Sequence, residues 1–168
     1  MSDSPLFVSL TRALRQQGWE YQRVDGREVA RLDFQARSGT IPVIAQAFAP
    51  IGALGVTSEP AWNAPRPPPM GKLAELLMRV NLQLTIGNFE VDWDEARVYF
   101  RVTNVFPETT NPPAAIVAGL VHTAVTEADR MNYLLRELAR CPDGELARFD
   151  IGRLLRREDL FPEEESPG

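Results

Sequence analysis

Glu90, Asp92 and Asp94 alternate along one short segment, with Glu95 directly after them. On an extended strand that spacing lines the carboxylates up on one face. Such a row offers oxygen ligands to a hard divalent cation, or paired carboxyl groups to a metal-assisted or glycoside-type hydrolysis. A solvated strand face has the same pattern, and the segment has no glycine-turned calcium loop. Nothing raises one of these carboxylates above the others as an acid or base. The remaining chemistry rests on one histidine, His122, and one cysteine, Cys141. A catalytic histidine needs an orienting group on its second ring nitrogen, and Glu127 and Asp129 lie too far along the same helix to supply it. Cys141 closes that helix just before Pro142, where carbonyl ends and a negative dipole raise a thiol pKa. Gly87-Asn88 leads into a strand instead of opening a helix, so it is no phosphate loop. No catalytic, cofactor-binding or metal-binding residue is assigned.

These residues must be positioned by a mixed set of elements. Ser4-Pro5 opens a helix with Leu6, Leu10, Ala13 and Leu14 on one side, and Gly18 stops it. Tyr21 to Val24 reads as a strand, Asp25-Gly26 as a turn, and Ala30, Leu32, Phe34 and Ala36 alternate with polar neighbours. Thr40 to Phe48 gives a third strand, apolar on both faces, which Pro42 places at an edge. It is interrupted by Pro50 and Gly52 before Leu54 to Thr57. Residues 59–69 carry five prolines and form a polyproline connector. A helix from about Met70 to Leu84 follows, with Leu73, Leu76, Leu77 and Val80 on its stripe. Phe89, Val91 and Trp93 oppose Val98, Phe100 and Val102 in a second hairpin, where Arg97 and Arg101 pair across to the carboxylate row. Asn111-Pro112 caps a long helix reaching Arg140, whose stripe runs Val117, Val121, Ala124, Ala128, Met131, Leu135 and Leu138. A short helix around Leu146 to Leu155 and an acidic disordered tail over 161–168 complete the chain.

The order α-β-β-β-α-β-β-α(-α) makes the fold α+β, a twisted antiparallel sheet of about five strands with flanking helices, in one domain over residues 1–160. At 168 residues and 44% hydrophobic composition the chain can bury a core without disulfides or a structural metal. The 23 acidic and 18 basic residues leave a net charge of -5, which repels a phosphate backbone or an anionic membrane surface. Met1 to Pro5 has no basic leader region, and no run reaches the roughly 18 apolar residues of a spanning helix. A reducing cytoplasm is the expected compartment for a chain with one thiol.

The run Leu76 to Asn81, then Ile86-Gly87-Asn88-Phe89-Glu90-Val91-Asp92 and Val98-Tyr99-Phe100-Arg101, resembles the YbjN-like family of bacterial proteins, in particular the branch found in photosynthetic bacteria. The similarity covers about residues 30–140. Its signature residues, Asn81, Gly87, Asn88, Phe89, Glu90 and Asp92, are structural: Asn81 and Gly87 set the helix-to-strand turn, and Phe89 anchors the sheet. Trp93 to Arg97 lacks the glycine usual at this hairpin tip. The resemblance implies a fold like that of type III secretion chaperones, commonly dimeric, and a chaperone-like or regulatory role without enzymatic activity. The leading expectation is therefore a protein-binding module, a homodimer without cofactors, holding a partner segment on a sheet face or helix groove. Phe48, Ile51, Leu54, Val56 and Trp62 are the candidate partner contacts, around an edge that could accept a strand. Ile116, Leu120 and Leu134, flanking the long helix stripe, are the candidate dimer interface. A hydrolase using Glu90, Asp92 and Asp94, and a small-molecule sensor with a pocket between sheet and helices, are the alternatives.

Overall fold

In the computed structural model, which describes residues 3–60, 68–106 and 111–161, Ser4 accepts a hydrogen bond from the Phe7 amide (3.1 Å) and so caps the first helix, α1 (Pro5–Gln16). Six strands follow: β1 (Gln22–Arg23), β2 (Val29–Ala36), β3 (Gly39–Phe48), β4 (Ala53–Ser58), and, after helix α2 (Met70–Asn81), the hairpin β5 (Asn88–Asp92) and β6 (Arg97–Val105). The long helix α3 (Ala114–Arg140), two short helices, α4 (Asp143–Leu146) and α5 (Ile151–Leu154), and a 3-10 turn at Glu158–Leu160 complete the described chain. All strands pair antiparallel in the order β1-β2-β3-β4-β6-β5. The α+β expectation holds, with one strand more than expected. The added strand is β4, which a 3-10 turn at Ala49–Ile51 and the left-handed Gly52 reverse back onto β3.

That reversal places β3 in the middle of the sheet and not at its edge. Pro42 is tolerated there because its nitrogen and carbonyl point past the end of β4, where the carbonyl accepts from the Glu59 amide at 3.1 Å. Only the reciprocal bond to Glu59 is forgone, beyond the last paired residue of β4. The long helix starts later than the Asn111-Pro112 cap suggests, since Pro113 keeps Pro112 out of helical geometry and itself becomes the N-cap. Asn111 instead accepts a hydrogen bond from Ser9 on α1 at 2.9 Å.

The helices cover one face of the sheet. Leu32, Ile41, Val43, Leu54, Val56 and Phe100 point from the strands into a single core shared with the stripes of α1, α2 and α3. Ala124 and Ala128, both fully buried, let α3 approach closely enough for the buried Ser58 hydroxyl to donate to the Ala124 carbonyl at 2.6 Å. A polar clamp fixes the far end. The Ser38 amide donates to Asp129 at 2.8 Å and Asn132 donates to the Ser38 hydroxyl at 2.6 Å, while Arg136 reaches the Ser38 carbonyl, so α3 grips the β2–β3 turn from one side.

Candidate partner-binding face

With the helices on one side, alternation leaves the other side of the sheet open. It carries Arg31 and Asp33 on β2, Ile44 and Phe48 on β3, Thr57 on β4, and Tyr99, Arg101 and Val105 on β6, as the pairing Ile44↔Thr57↔Arg101 requires. Ile44 is 40% and Val105 56% exposed, and Ile51 at the β3–β4 turn is 67% exposed. The half-buried Phe48 ring lies across β4, where a Cβ on Gly55 would come within 3.0 Å of it. Glycine here gives the ring its seat. Burial pushes the Tyr99 hydroxyl pKa up, and Arg97 sits over that ring at 5.3 Å while paired with Glu59. A cleft of about 800 Å³ crosses this face, lined among others by Tyr21, Arg31, Ile44, Thr57, Arg97 and Tyr99.

The candidate partner residues divide between the two faces. Phe48 and Ile51 are on accessible ground, but Leu54 and Val56 are each 1% exposed under the helices. They have no surface to offer a partner, because odd and even positions of β4 exchange faces with each residue. Trp62 lies outside the described residues. Of the dimer candidates, Ile116 is 39% exposed, whereas Leu120 and Leu134 are 8% and 3% exposed. The apolar arc of α3 is wider than one stripe because α1, the sheet and the C-terminal segment all pack on it.

The carboxylate row is tied up in pairing and turn formation. Glu90 accepts from Arg101 at 3.1 Å and from Asn88 at 3.3 Å. Asp92 accepts from the Asp94 and Glu95 amides at 2.9 and 3.1 Å, shaping the hairpin tip. Arg97 pairs with Glu59 and Glu95, not with Asp92. Among the described residues no group of three or more His, Cys, Asp or Glu side chains could hold a metal ion. His122 is exposed on α3 with its ring edge-on to Trp19 at 5.1 Å. Burial, then the Glu145 and Asp143 carboxylates, push the Cys141 thiol up, so the direction is the expected one but its causes are not the carbonyl ends and dipole of the helix.

The signature residues meet at the α2–β5 joint. The Asn81 side chain accepts from the Phe89 amide at 2.7 Å and donates to the Phe89 carbonyl at 3.0 Å, pairing with the outer edge of β5 as a further strand would. This is why α2 ends at Asn81 and not at Leu84. Gly87 turns with φ +77 directly against Phe100. Ala96 takes φ 53 at the tip, the left-handed conformation that the missing glycine would favour.

The fold is α+β, with the helices on one face of a six-stranded antiparallel sheet and the other face open. The family profile described as "Putative bacterial sensory transduction regulator" matches residues 8–132, and the chain belongs to this family, YbjN. Two solved structures share the fold. One is the ExsC-ExsE complex, at 12% identity and a TM-score of 0.55, covering 77% of this chain and 92% of that chain. The other is the HopA1-SchA chaperone-effector complex, at 11% identity and a TM-score of 0.53, covering 76% and 94%. No curated protein matches the chain. Among the described residues no helix is long and apolar enough to cross a membrane.

Proposed function

We propose that the chain is a non-catalytic protein-binding module, chaperone-like or regulatory, that holds a partner segment on the open face of its sheet. The observation carrying this reading is the cleft of about 800 Å³ across β2, β3, β4 and β6, with Ile44 as its exposed apolar anchor among ion-paired side chains and Phe48 and Val105 on the same face outside it. Anchors of this kind in a polar rim are what a protein partner recognises. The likeness to a chaperone solved with its effector, and to ExsC solved with ExsE, supports the same role. We further propose that the module is one domain over residues 1–160, that it works in the cytoplasm as a homodimer with the exposed Ile116 in its interface, and that it falls in the photosynthetic branch of its family.

Partner capture from the native cell tests the face. Ile44→Glu and Val105→Glu place charges on exposed positions, so folding should hold while a captured partner is lost at least tenfold. Leu82→Glu, exposed beyond the end of α2, is the control and should leave capture unchanged. A partner retained by both face variants, or lost with Leu82→Glu alone, overturns the assignment.

A further inference from the structure

On the helix side of the sheet a cavity of about 280 Å³ lies between α3, the α2–β5 turn and the C-terminal segment. Its lining mixes apolar side chains, Leu84, Met131, Leu134 and Phe161 among them, with the polar Gln83, Thr85 and Thr123. Two charged side chains, Glu127 and Arg130, enter the lining three residues apart on α3. Among the described residues the Glu127 carboxyl has no hydrogen-bonded or ion-paired partner; Arg130 acts on it only at longer range, and burial raises its pKa. The Arg130 guanidinium contacts the Phe161 ring at 5.0 Å and has no hydrogen-bonded or ion-paired partner among the described residues. An acid kept half-buried without a partner costs stability in the free protein. Two opposed charges and a set of apolar side chains lining the same cavity define a complementary ligand.

We propose that this cavity binds a free α-amino acid with a large apolar side chain, its ammonium group on Glu127, its carboxylate on Arg130 and its side chain among Leu84, Met131 and Leu134. The volume falls just below the roughly 300–1,000 Å³ of drug-sized pockets, which suits a ligand the size of one amino acid. Two unused charges of opposite sign favour a zwitterion over a simple amine or fatty acid, since either of those leaves one charge unpaired. This site is separate from the sheet face and does not depend on the protein-binding reading.

Calorimetric titration of the full chain with L-phenylalanine and L-leucine tests it, with phenethylamine, hydrocinnamate and glycine as probes lacking the carboxylate, the ammonium or the apolar body. One of the two amino acids should bind one to one and raise the melting temperature, and each truncated probe should bind at least tenfold more weakly. Glu127→Gln and Arg130→Gln should each weaken binding at least tenfold. In parallel, NMR shifts on adding the amino acid should centre on Thr123, Met131 and Phe161, a readout independent of any variant. No saturable binding up to about 10 mM overturns the proposal, as do equal affinities for the truncated probes, shifts centred elsewhere, or folded variants that bind as well as the parent.

Discussion

Replacing Gly87 with alanine strains the joint in two separable ways. The left-handed φ of +77 costs an L-residue about 1–2 kcal/mol, of which about 0.5–1 kcal/mol returns because alanine has less freedom to lose on folding. The new Cβ would also overlap the Phe100 ring and stand 2.9 Å from the Arg101 carbonyl oxygen. That ring is fully buried and edge-on to Phe89 at 5.0 Å, so it has no room to retreat. Overpacking of this kind adds about 1–3 kcal/mol, for a total near 2–4 kcal/mol. In urea, with a slope of about 2 kcal/mol per M, the midpoint should fall by about 1–2 M. Gly18→Ala is the control, since its φ of +71 carries the strain while nothing lies within 4 Å of the added carbon. Gly87→Ala falling no further than Gly18→Ala would refute the packing half of the reasoning. The same refutation follows if Phe100→Leu, which shortens the obstructing ring, fails to recover part of the loss in a double-mutant cycle.

Ala96→Gly should stabilise the hairpin tip by about 0.5–1 kcal/mol in the same assay, because φ 53 strains alanine and suits glycine; an unchanged or lower midpoint counts against the left-handed geometry. The pH dependence should carry two opposite signatures. Hydrogen bonding from Lys72, then from Arg79, holds the Glu75 carboxyl low, so its contribution is present above the ordinary value of 4.5 and is lost as pH falls through the lowered pKa. Burial raises Glu127, so stability instead declines as pH rises from 4.5 through the raised pKa. Glu127→Gln should therefore raise the melting temperature at pH 7 and flatten that decline, and a variant less stable than the parent at pH 7 contradicts it.

The periodic parts of the molecule were legible because one physical cause dominated them. The seven-residue stripe of α3 and the alternation of β2 are set by burial on one side, and both lie where the spacing puts them. The cross-strand pairing of Arg101 with Glu90 follows from the same alternation. The sequence misled at β3, where Pro42 suggested that a strand apolar on both faces begins at an edge. Those outward apolar residues, Ile44 and Phe48, are instead the open face, and only the return of β4 at Gly52 distinguishes the two readings. The grip of Asp129, Asn132 and Arg136 on Ser38 joins positions far apart in the chain, and no local pattern announces it. Residues 162–168 of the expected tail and 61–67 of the connector lie outside the described residues, while Phe161, placed in the tail by composition, packs on Tyr133.

The two surfaces differ in where their parts come from. Every strand of the open face falls within residues 8–132, the stretch the family profile matches. The cavity draws its floor from that stretch, through Phe89, Glu127 and Met131, but is closed by Leu134, Leu155 and Phe161 beyond it. Ile151 and Leu154, at 1% and 3% exposure, lock the closing segment onto the core, so the wall is a fixed part of this chain and not a loose end. The sheet face therefore lies wholly within the matched stretch, and the cavity is completed by residues outside it. Deleting the residues after Leu155 should leave partner capture intact while weakening amino-acid binding, because the Phe161 wall and its contact with Arg130 are removed but no strand is touched. Loss of both together would mean that the two surfaces are one device.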